Sequence, residues 1–221
     1  MILAKSEILR RLESGELVVT KDRINANASK RDGETPMPFD ETNVGDNSID
    51  VHLSPHLAVY NNVCKIDRDV DGRILNISPD PDGTIESDQD NEITRFLIPP
   101  KGIRLVPGVL YLGSTLEYTE SHNVVPTLDG KSSGGRLGAN IHATAGKGDV
   151  GFAGWWTLEI YVVQPVRIFA GMPIGQLSYE TIAGVTPGYS SKLDSKYADP
   201  SPYPQASRMF KNFDPETRLW K

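Results

Sequence analysis

Residues 130–138, with the sequence GKSSGGRLG, combine glycines with hydroxyl and cationic side chains. Because glycine has no Cβ, backbone amides and the intervening side chains can approach an anion closely at such a stretch. This composition is typical of a loop that binds phosphate. The candidate ligands are Lys131, Ser132, Ser133, Gly134, Gly135 and Arg136.

A single carboxylate, Glu159, interrupts the apolar pattern of the strand-like segment TLEIYV. Leu158 and Ile160 alternate with it, so they should face the core while Glu159 faces the opposite side of the strand. A carboxylate in such a position requires a partner or a function. Partial burial in a cleft would make it a usable proton carrier. An ion pair with Arg136 is the structural alternative, and the residues alone leave the two readings open.

The sequence does not support other common classes of catalytic site. A zinc deaminase needs a paired-cysteine motif, but the chain has one cysteine, Cys64. A serine hydrolase of the nucleophile-elbow type needs Gly-x-Ser-x-Gly. Residues 130–134, GKSSG, have that spacing, but Lys131 and Ser133 flank Ser132, and we do not interpret it as a nucleophile. His142 alternates with Ile141 in a strand pattern, and we interpret it as a structural histidine rather than a base.

The elements that must position these residues are one helix followed by many short strands. Ser6 is the predicted N-cap of the helix, Ile8 lies on its apolar face, and Gly15 is the predicted stop. Short apolar runs separated by Gly and Pro then predict a mainly β fold, a distorted jelly roll or β-barrel. A strand over residues 48–53 should place Asp50 on its exposed face.

Three polar segments interrupt this pattern within what we expect to be one domain over residues 1–221. Residues 21–47 read as a surface loop or partner-binding arm. Residues 64–92 are rich in Asp and favour a hairpin insertion over a calcium loop, because EF-hand ligand spacing is missing. The tail from about 188 to 221 is too polar and proline-rich for core strands, so it should lie over a surface.

Composition excludes several function classes. The net charge is −6, which argues against a general nucleic-acid or anionic-membrane surface and makes any phosphate site local. The single cysteine rules out an intramolecular disulfide and fits a reducing compartment. No apolar run approaches the length of a membrane span. We therefore expect a soluble, cytoplasmic protein.

Seven short motifs follow the Asp50 strand in a fixed order: GKSSGGRLG, IHATAG, DVGFAG, TLEI, GQL, GY and SKY. This order, extending from the opening helix to Ser207 and Arg208, resembles the dCTP deaminase family of the dUTPase-like superfamily. The ordered set covers almost the whole chain and is far more specific than any one motif.

The resemblance implies a homotrimer of distorted jelly rolls of the trimeric dUTPase type, with three active sites shared at subunit interfaces. It implies zinc-independent hydrolytic deamination of dCTP to dUTP and ammonia, in the supply of dUMP and dTTP. It also implies that Mg²⁺ travels on the triphosphate, with no direct protein ligand, and that dTTP acts as a feedback inhibitor.

The resemblance further assigns the catalytic roles. Ser132 and the backbone carbonyl of Ala145 would position the attacking water. Glu159 would take its proton as a general base and return it as a general acid. Arg136 would sit beside Glu159 and stabilise charge during addition.

Substrate contacts are implied in the same way. The backbone of Thr157 and Leu158 would pair with the pyrimidine edge, Asp149 would bind the sugar 3′-hydroxyl, and Phe152 would pack under the deoxyribose. The triphosphate would be held by the phosphate loop and by a tail that closes over it. These phosphate contacts are Lys131, Ser133, Gly134, Gly135, Tyr189 and Lys196.

Two positions depart from the family pattern. Lys131 stands where arginine is usual, and the usual tail glutamine is not at its place, which leaves open whether Gln205 replaces it. Gly146 favours the bifunctional form, which also cleaves dUTP to dUMP and pyrophosphate. The alternatives are a dUTP diphosphatase alone, which would leave Glu159 without a role, and a non-catalytic trimeric β protein that serves in binding or structure.

Overall fold

The computed structural model describes residues 1–21, 40–191, 195–197 and 199–220. The helices are α1 (Lys5–Glu13) and α2 (Ser132–Arg136), and single 3₁₀ turns cover Glu41–Asn43, Asn61–Val63, Tyr189–Ser191 and Met209–Asn212. The strands are β1 (Leu17–Thr20), β2 (Ile49–Tyr60), β3 (Cys64–Arg68), β4 (Ile74–Pro79), β5 (Ile93–Leu97), β6 (Ile103–Leu105), β7 (Tyr111–Thr115), β8 (Tyr118–Ser121), β9 (Val124–Gly130), β10 (Ala139–Asn140), β11 (Ala153–Gly154), β12 (Thr157–Val162), β13 (Val166–Ile168), β14 (Pro173–Thr181), β15 (Phe213–Asp214) and β16 (Leu219–Trp220).

The predicted mainly β fold with a short N-terminal helix is confirmed. The largest sheet runs in the order β10-β12-β7-β2-β14-β9, with β5 also paired to β2, and it is nearly closed like a barrel. A second sheet has the order β1-β8-β11, and the described residues also form the two-stranded pairs β13-β6, β15-β16 and β3-β4. All the pairings are antiparallel.

The central strand, β2, changes partners along its length. Its first residues pair with β14, and its last five pair with β5. The pairing with β7 shifts register between Leu53 and Leu57, on either side of Pro55. Proline has no N–H to donate, so within a sheet it is tolerated at such an irregularity, and the bulge bends the strand. Because of this bend, β2 pairs with β14 at its start and with β5 at its end.

Helix α1 packs one face against the barrel, with Ile8 fully buried. The predicted N-cap is wrong. The helix begins at Lys5, and Ala4 is its N-cap residue without a side-chain hydrogen bond, so Ser6 already lies inside the first turn. The predicted stop is confirmed, because Gly15 follows the helix at a φ of 74°, where a residue without a Cβ is unstrained.

The alternation predicted for the start of β2 is confirmed. Ile49, Val51 and Leu53 are fully buried, and burial of each such side chain contributes about 1.5–3 kcal/mol. The prediction that Asp50 is exposed is wrong. Its side chain is half-buried, because the Lys131 ammonium lies 2.5 Å from its carboxylate.

The polar segments differ in how far the structure describes them. Most of segment 21–47 lies outside the described residues. Within 64–92 the expected hairpin is present as β3 and β4, and its turn is closed by the Asp69 carboxylate, which accepts the backbone N–H groups of Asp71 and Arg73. In the described ranges, no helix is long and apolar enough to cross a membrane.

Candidate active site

Glu159 projects from β12 between two fully buried neighbours. Leu158 and Ile160 point into the core, as predicted, and the Glu159 side chain emerges half-buried on the other face. One carboxylate oxygen accepts the backbone N–H of Ala143 at 2.7 Å. The Glu159 backbone N–H in turn donates to the carbonyl of Ile141 at 2.8 Å. The segment that follows β10 therefore fixes both the strand and its carboxylate.

The carboxylate stands in a cleft of about 610 Å³. Five of the residues selected from sequence line it: Ala145, Asp149, Phe152, Thr157 and Glu159. Tyr189, from the predicted tail, lines it as well. The structure thus brings together residues from the loop after β10, from the segment before β12, from β12 itself and from the tail. Leu158 contributes no side chain to the cleft, since its side chain is fully buried.

The loop that carries Ala145 is attached to β9 by backbone hydrogen bonds. The N–H of Leu128 donates to the carbonyl of Gly146 at 2.7 Å, and the N–H of Gly148 donates to the carbonyl of Pro126 at 2.8 Å. A Cβ on Gly146 would lie 2.3 Å from the carbonyl oxygen of Leu128. Only glycine fits this close approach. Packing alone therefore explains why residue 146 is glycine, independently of the bifunctional form that Gly146 also favours.

Aromatic rings form one wall of the cleft. The Phe152 ring lies 4.8 Å from that of Trp156 and 6.1 Å from that of Tyr189, measured between centroids. The Trp156 indole N–H donates to Thr119 Oγ1 at 3.0 Å, which fixes its plane. A flat apolar wall of this kind suits the face of a sugar or a base.

The C-terminal tail closes another side of the cleft. The Gln205 N–H donates to Thr157 Oγ1 at 3.3 Å, and the Ser207 N–H donates to the Tyr60 hydroxyl at 2.9 Å. Burial raises the pKa of the Tyr60 phenol, and the hydrogen bond from Ser207 opposes that shift in part. Tyr60 therefore remains a neutral hydroxyl near neutral pH.

The predicted phosphate loop lies elsewhere. The α2 residues Ser132, Ser133 and Arg136 are exposed and are not among the described residues that line the cleft. Within the described part of a single chain, no ion pair joins Arg136 to Glu159. The expectation that Arg136 sits beside Glu159 is not met within one chain.

Two predicted phosphate contacts have other surroundings in a single chain. Lys131 is engaged with Asp50, which also accepts the Gln176 amide N–H at 3.2 Å. Lys196 lines a separate groove of about 700 Å³ with Arg208 and Lys211. Gly134 and Gly135, both in α2, leave open space where a Cβ would stand.

Sequence reasoning missed Tyr60, Trp156 and Lys147 as cleft residues. Tyr60 reaches the cleft only because β2 crosses the whole sheet, which no local pattern reveals. Trp156 lies directly before β12, and its place next to the TLEI motif was the available signal. Lys147 stands between two glycines in the loop that carries Ala145. That Gly-Lys-Gly pattern was the available signal that the lysine side chain is exposed to a ligand.

The fold and the cleft together define a class of protein: a β-barrel whose cleft has an aromatic wall and a carboxylate oriented by a backbone N–H. Such a carboxylate can transfer protons to a planar ligand bound in the cleft. The family profile described as dCTP deaminase-like matches residues 2–182. The chain belongs to this dCTP deaminase-like family.

Two sequence relatives agree with that assignment. A protein from Cytophaga hutchinsonii named "dCTP deaminase, dUMP-forming" is 40% identical over 177 residues, which cover 80% of this chain and 88% of that protein. One of the same name from Clostridium botulinum is 37% identical over 214 residues, 97% of this chain and 99% of that protein. A crystal structure of 2′-deoxycytidine 5′-triphosphate deaminase from Agrobacterium tumefaciens aligns with a TM-score of 0.49 and 17% identity, over 80% of this chain and 47% of that one.

Proposed function

We propose that this protein deaminates dCTP by hydrolysis and then cleaves the resulting dUTP to dUMP and pyrophosphate. The single observation that carries the first step is the Glu159 carboxylate, held by the Ala143 N–H in a cleft that also contains Ala145 and Asp149. The relatives named dUMP-forming support the second step.

In the proposed deamination, water adds to C4 of the cytosine ring. One Glu159 oxygen is engaged by the Ala143 N–H, which leaves the other free to take the proton from that water. The Ala145 carbonyl accepts the second water hydrogen and fixes its orientation. Glu159 passes this proton to N3 of the ring. It then takes the proton of the new C4 hydroxyl and delivers it to the amino group, which leaves as ammonia while the C4 carbonyl forms, so one carboxyl acts in turn as base and acid.

The rest of the cleft suits a deoxynucleotide. Thr157 lines the cleft, and the backbone of Thr157 and Leu158 would pair with the pyrimidine edge. Phe152 provides a face for the sugar, and Asp149 an acceptor for its 3′-hydroxyl. These roles are supported by the positions of the residues and by the family to which the chain belongs.

We further propose that the protein is a homotrimer in which α2 of one subunit completes the cleft of the next. The exposure of Ser132, Ser133 and Arg136 supports this, because residues with assigned roles in the cleft lie outside the cleft of their own chain. In the trimer, Ser132 would position the water and Arg136 would face Glu159, while Lys131, Ser133 and the α2 backbone, including Gly134 and Gly135, would hold phosphate.

Several finer points belong to the same proposal. Mg²⁺ enters as part of the substrate, bound to the triphosphate oxygens that this hard ion prefers. Tyr189 and Lys196 contribute to the closed tail over the nucleotide, and dTTP competes for the same cleft. The protein works in the cytoplasm, in keeping with the free and buried thiol of Cys64.

Product analysis tests the proposal directly. Purified protein is incubated with dCTP and Mg²⁺, and ammonia, dUTP, dUMP and pyrophosphate are measured together. Ammonia with dUMP and pyrophosphate is the expected result. Ammonia with accumulating dUTP would reduce the function to deamination, dUTP cleavage without ammonia would leave a diphosphatase, and no turnover of either nucleotide would leave a binding protein.

A further inference from the structure

Lys147 stands out because it is the cation that lines the Glu159 cleft. Among the described residues around this cleft, no other lysine or arginine is present. Within the same chain, Lys131 is paired with Asp50, and Lys196 lines the separate groove. A polyanionic ligand in this cleft therefore meets Lys147 first.

The backbone on both sides of Lys147 is fixed. Lys147 bridges to Thr127 of β9, and the hydrogen bonds of Gly146 and Gly148 to β9 flank it. Gly146 lies against the Leu128 carbonyl, and a Cβ on Gly148 would lie 2.5 Å from the Trp156 ring. Packing requires both glycines. The Lys147 side chain therefore extends from a backbone whose position is fixed.

The Lys147 ammonium is weakly engaged in the structure. Its nitrogen lies 3.5 Å from Glu180 Oε2, and the two side chains are 61% and 40% exposed. A pair at that distance in solvent is a marginal hydrogen bond and contributes little to stability. The ammonium can therefore turn toward a stronger anion at small cost.

A second cavity of about 350 Å³ adjoins the cleft at this point. Lys147, Gly148, Asp149 and Tyr189 line both spaces, and residues 182–188 form the far side of the smaller one. That far side includes Gly184, which has open space where a Cβ would stand. A chain of phosphates extending from the cleft has room in this cavity.

We propose that Lys147 binds the phosphates of the deoxynucleotide substrate and that the adjoining cavity accommodates them. The inference rests on the proposed function, since it names a substrate contact of the same cleft. It gives each subunit a phosphate contact of its own, in addition to the α2 loop expected from the neighbouring subunit. Lys147 holds the substrate and takes no part in the proton transfers at the ring.

Lys147→Met and Glu180→Gln form a matched pair of test variants, because each removes one half of the same surface ion pair. Because the protein is proposed to consume dCTP, the Kd is measured by calorimetry in a Glu159→Gln background. There we expect Lys147→Met to raise the Kd for dCTP by about tenfold, the equivalent of one charge-assisted hydrogen bond. The slope of log Kd against log salt should become shallower, because one phosphate contact is lost. Glu180→Gln should leave the affinity unchanged or increase it, and Lys147→Arg should restore it.

Steady-state ammonia release gives the second readout. Lys147→Met should raise KM for dCTP while kcat stays near the wild-type value, since the proton-transfer groups are intact. Equal losses of affinity in Lys147→Met and Glu180→Gln would mean that the ion pair is only structural, and unchanged affinity in Lys147→Met would also overturn the inference. If wild type binds dCTP without releasing ammonia, the proposed function fails while the calorimetric comparison still decides the role of Lys147. A wild-type protein that does not bind dCTP would overturn both.

Discussion

The backbone N–H of Ala143 and the carboxylate of Glu159 form a 2.7 Å hydrogen bond between residues 16 positions apart. Ala143 lies in the loop that follows β10 and is bonded to β9, and Glu159 lies in β12. The orientation of the carboxylate is thus set by a main-chain amide. A backbone amide keeps its proton across the working pH range and is fixed in the chain. The Glu159 carboxylate can therefore keep its position while it gains and loses a proton.

The first prediction concerns Glu159→Gln. The amide preserves the shape of the side chain but cannot carry a proton, so deamination of dCTP should fall by about 10²-fold or more. Cleavage of added dUTP should continue, because that reaction takes place at the phosphates. Ammonia and pyrophosphate assays on the same preparation read both activities. Ammonia release at the wild-type rate would remove Glu159 from the mechanism.

The second prediction concerns Gly146→Ala. A Cβ at this position would lie 2.3 Å from the Leu128 carbonyl oxygen, so the loop must move away from β9. We expect a loss of about 1–3 kcal/mol in the free energy of unfolding, the usual range for overpacking. Urea denaturation measures it, and Gly45→Ala is the control, because its Cβ would meet atoms no closer than 3.7 Å. Equal stability of the two variants would contradict the close approach.

A third prediction tests whether the cleft is shared between subunits. Glu159→Gln and Arg136→Ala should each be inactive in deamination. When the two are unfolded together and refolded as mixed trimers, about a quarter of the clefts should combine an intact Glu159 with an intact Arg136 from the neighbour. Ammonia release should therefore recover to about a quarter of the wild-type rate. If the mixture stays inactive while light scattering reports trimers, Arg136 does not act across the interface.

The fourth prediction concerns how the tail is held. The Arg208 guanidinium donates to Asp199 at 2.6 and 2.9 Å and lowers the pKa of that carboxyl to about 2. Because the folded pKa lies below the ordinary value, the pair contributes its full stability above about pH 4 and loses it as the pH falls towards 2. The Asp199 carboxylate is largely exposed, so the contribution is small.

Asp199→Asn should therefore leave the melting temperature of the barrel almost unchanged while the tail becomes easier to cleave. Limited proteolysis at pH 7, followed by mass spectrometry, measures the cleavage rate within the tail. Asp71→Asn, which weakens an exposed pair far from the cleft, is the control. Identical cleavage of the tail in both variants would show that the Arg208 contact does not hold it.

Much of this protein could be predicted from local patterns, and what escaped depends on long-range pairing. Alternation placed Leu158 and Ile160 in the core and Glu159 on the other face, and short strands between Gly and Pro indicated a mainly β fold. The same patterns could not reveal that Tyr60 would reach the cleft from the end of β2. They also misplaced the helix start, because Ser6 is a good capping residue type, yet the chain enters the helix two residues earlier.

The phosphate loop shows a different limit of sequence reasoning. Its composition predicts an anion site, which stays a prediction. In the proposed trimer this loop would serve the cleft of a neighbouring subunit, and composition carries no information on how copies of the chain associate. The pairing of Lys131 with Asp50 was equally hidden, because the two residues are 81 positions apart and meet only through the pairing of β2 with β14 and of β14 with β9.

The tail is attached to the cleft largely by its own main chain. Gln205 and Ser207 donate their backbone N–H groups, and Pro202 offers its carbonyl to the Ser114 hydroxyl. Every amino acid has that carbonyl, and every one except proline has that N–H, so the attachment tolerates replacement of most tail side chains. This wall of the cleft can thus acquire new side chains, and with them a new preference among nucleotides, while the rest of the site stays assembled.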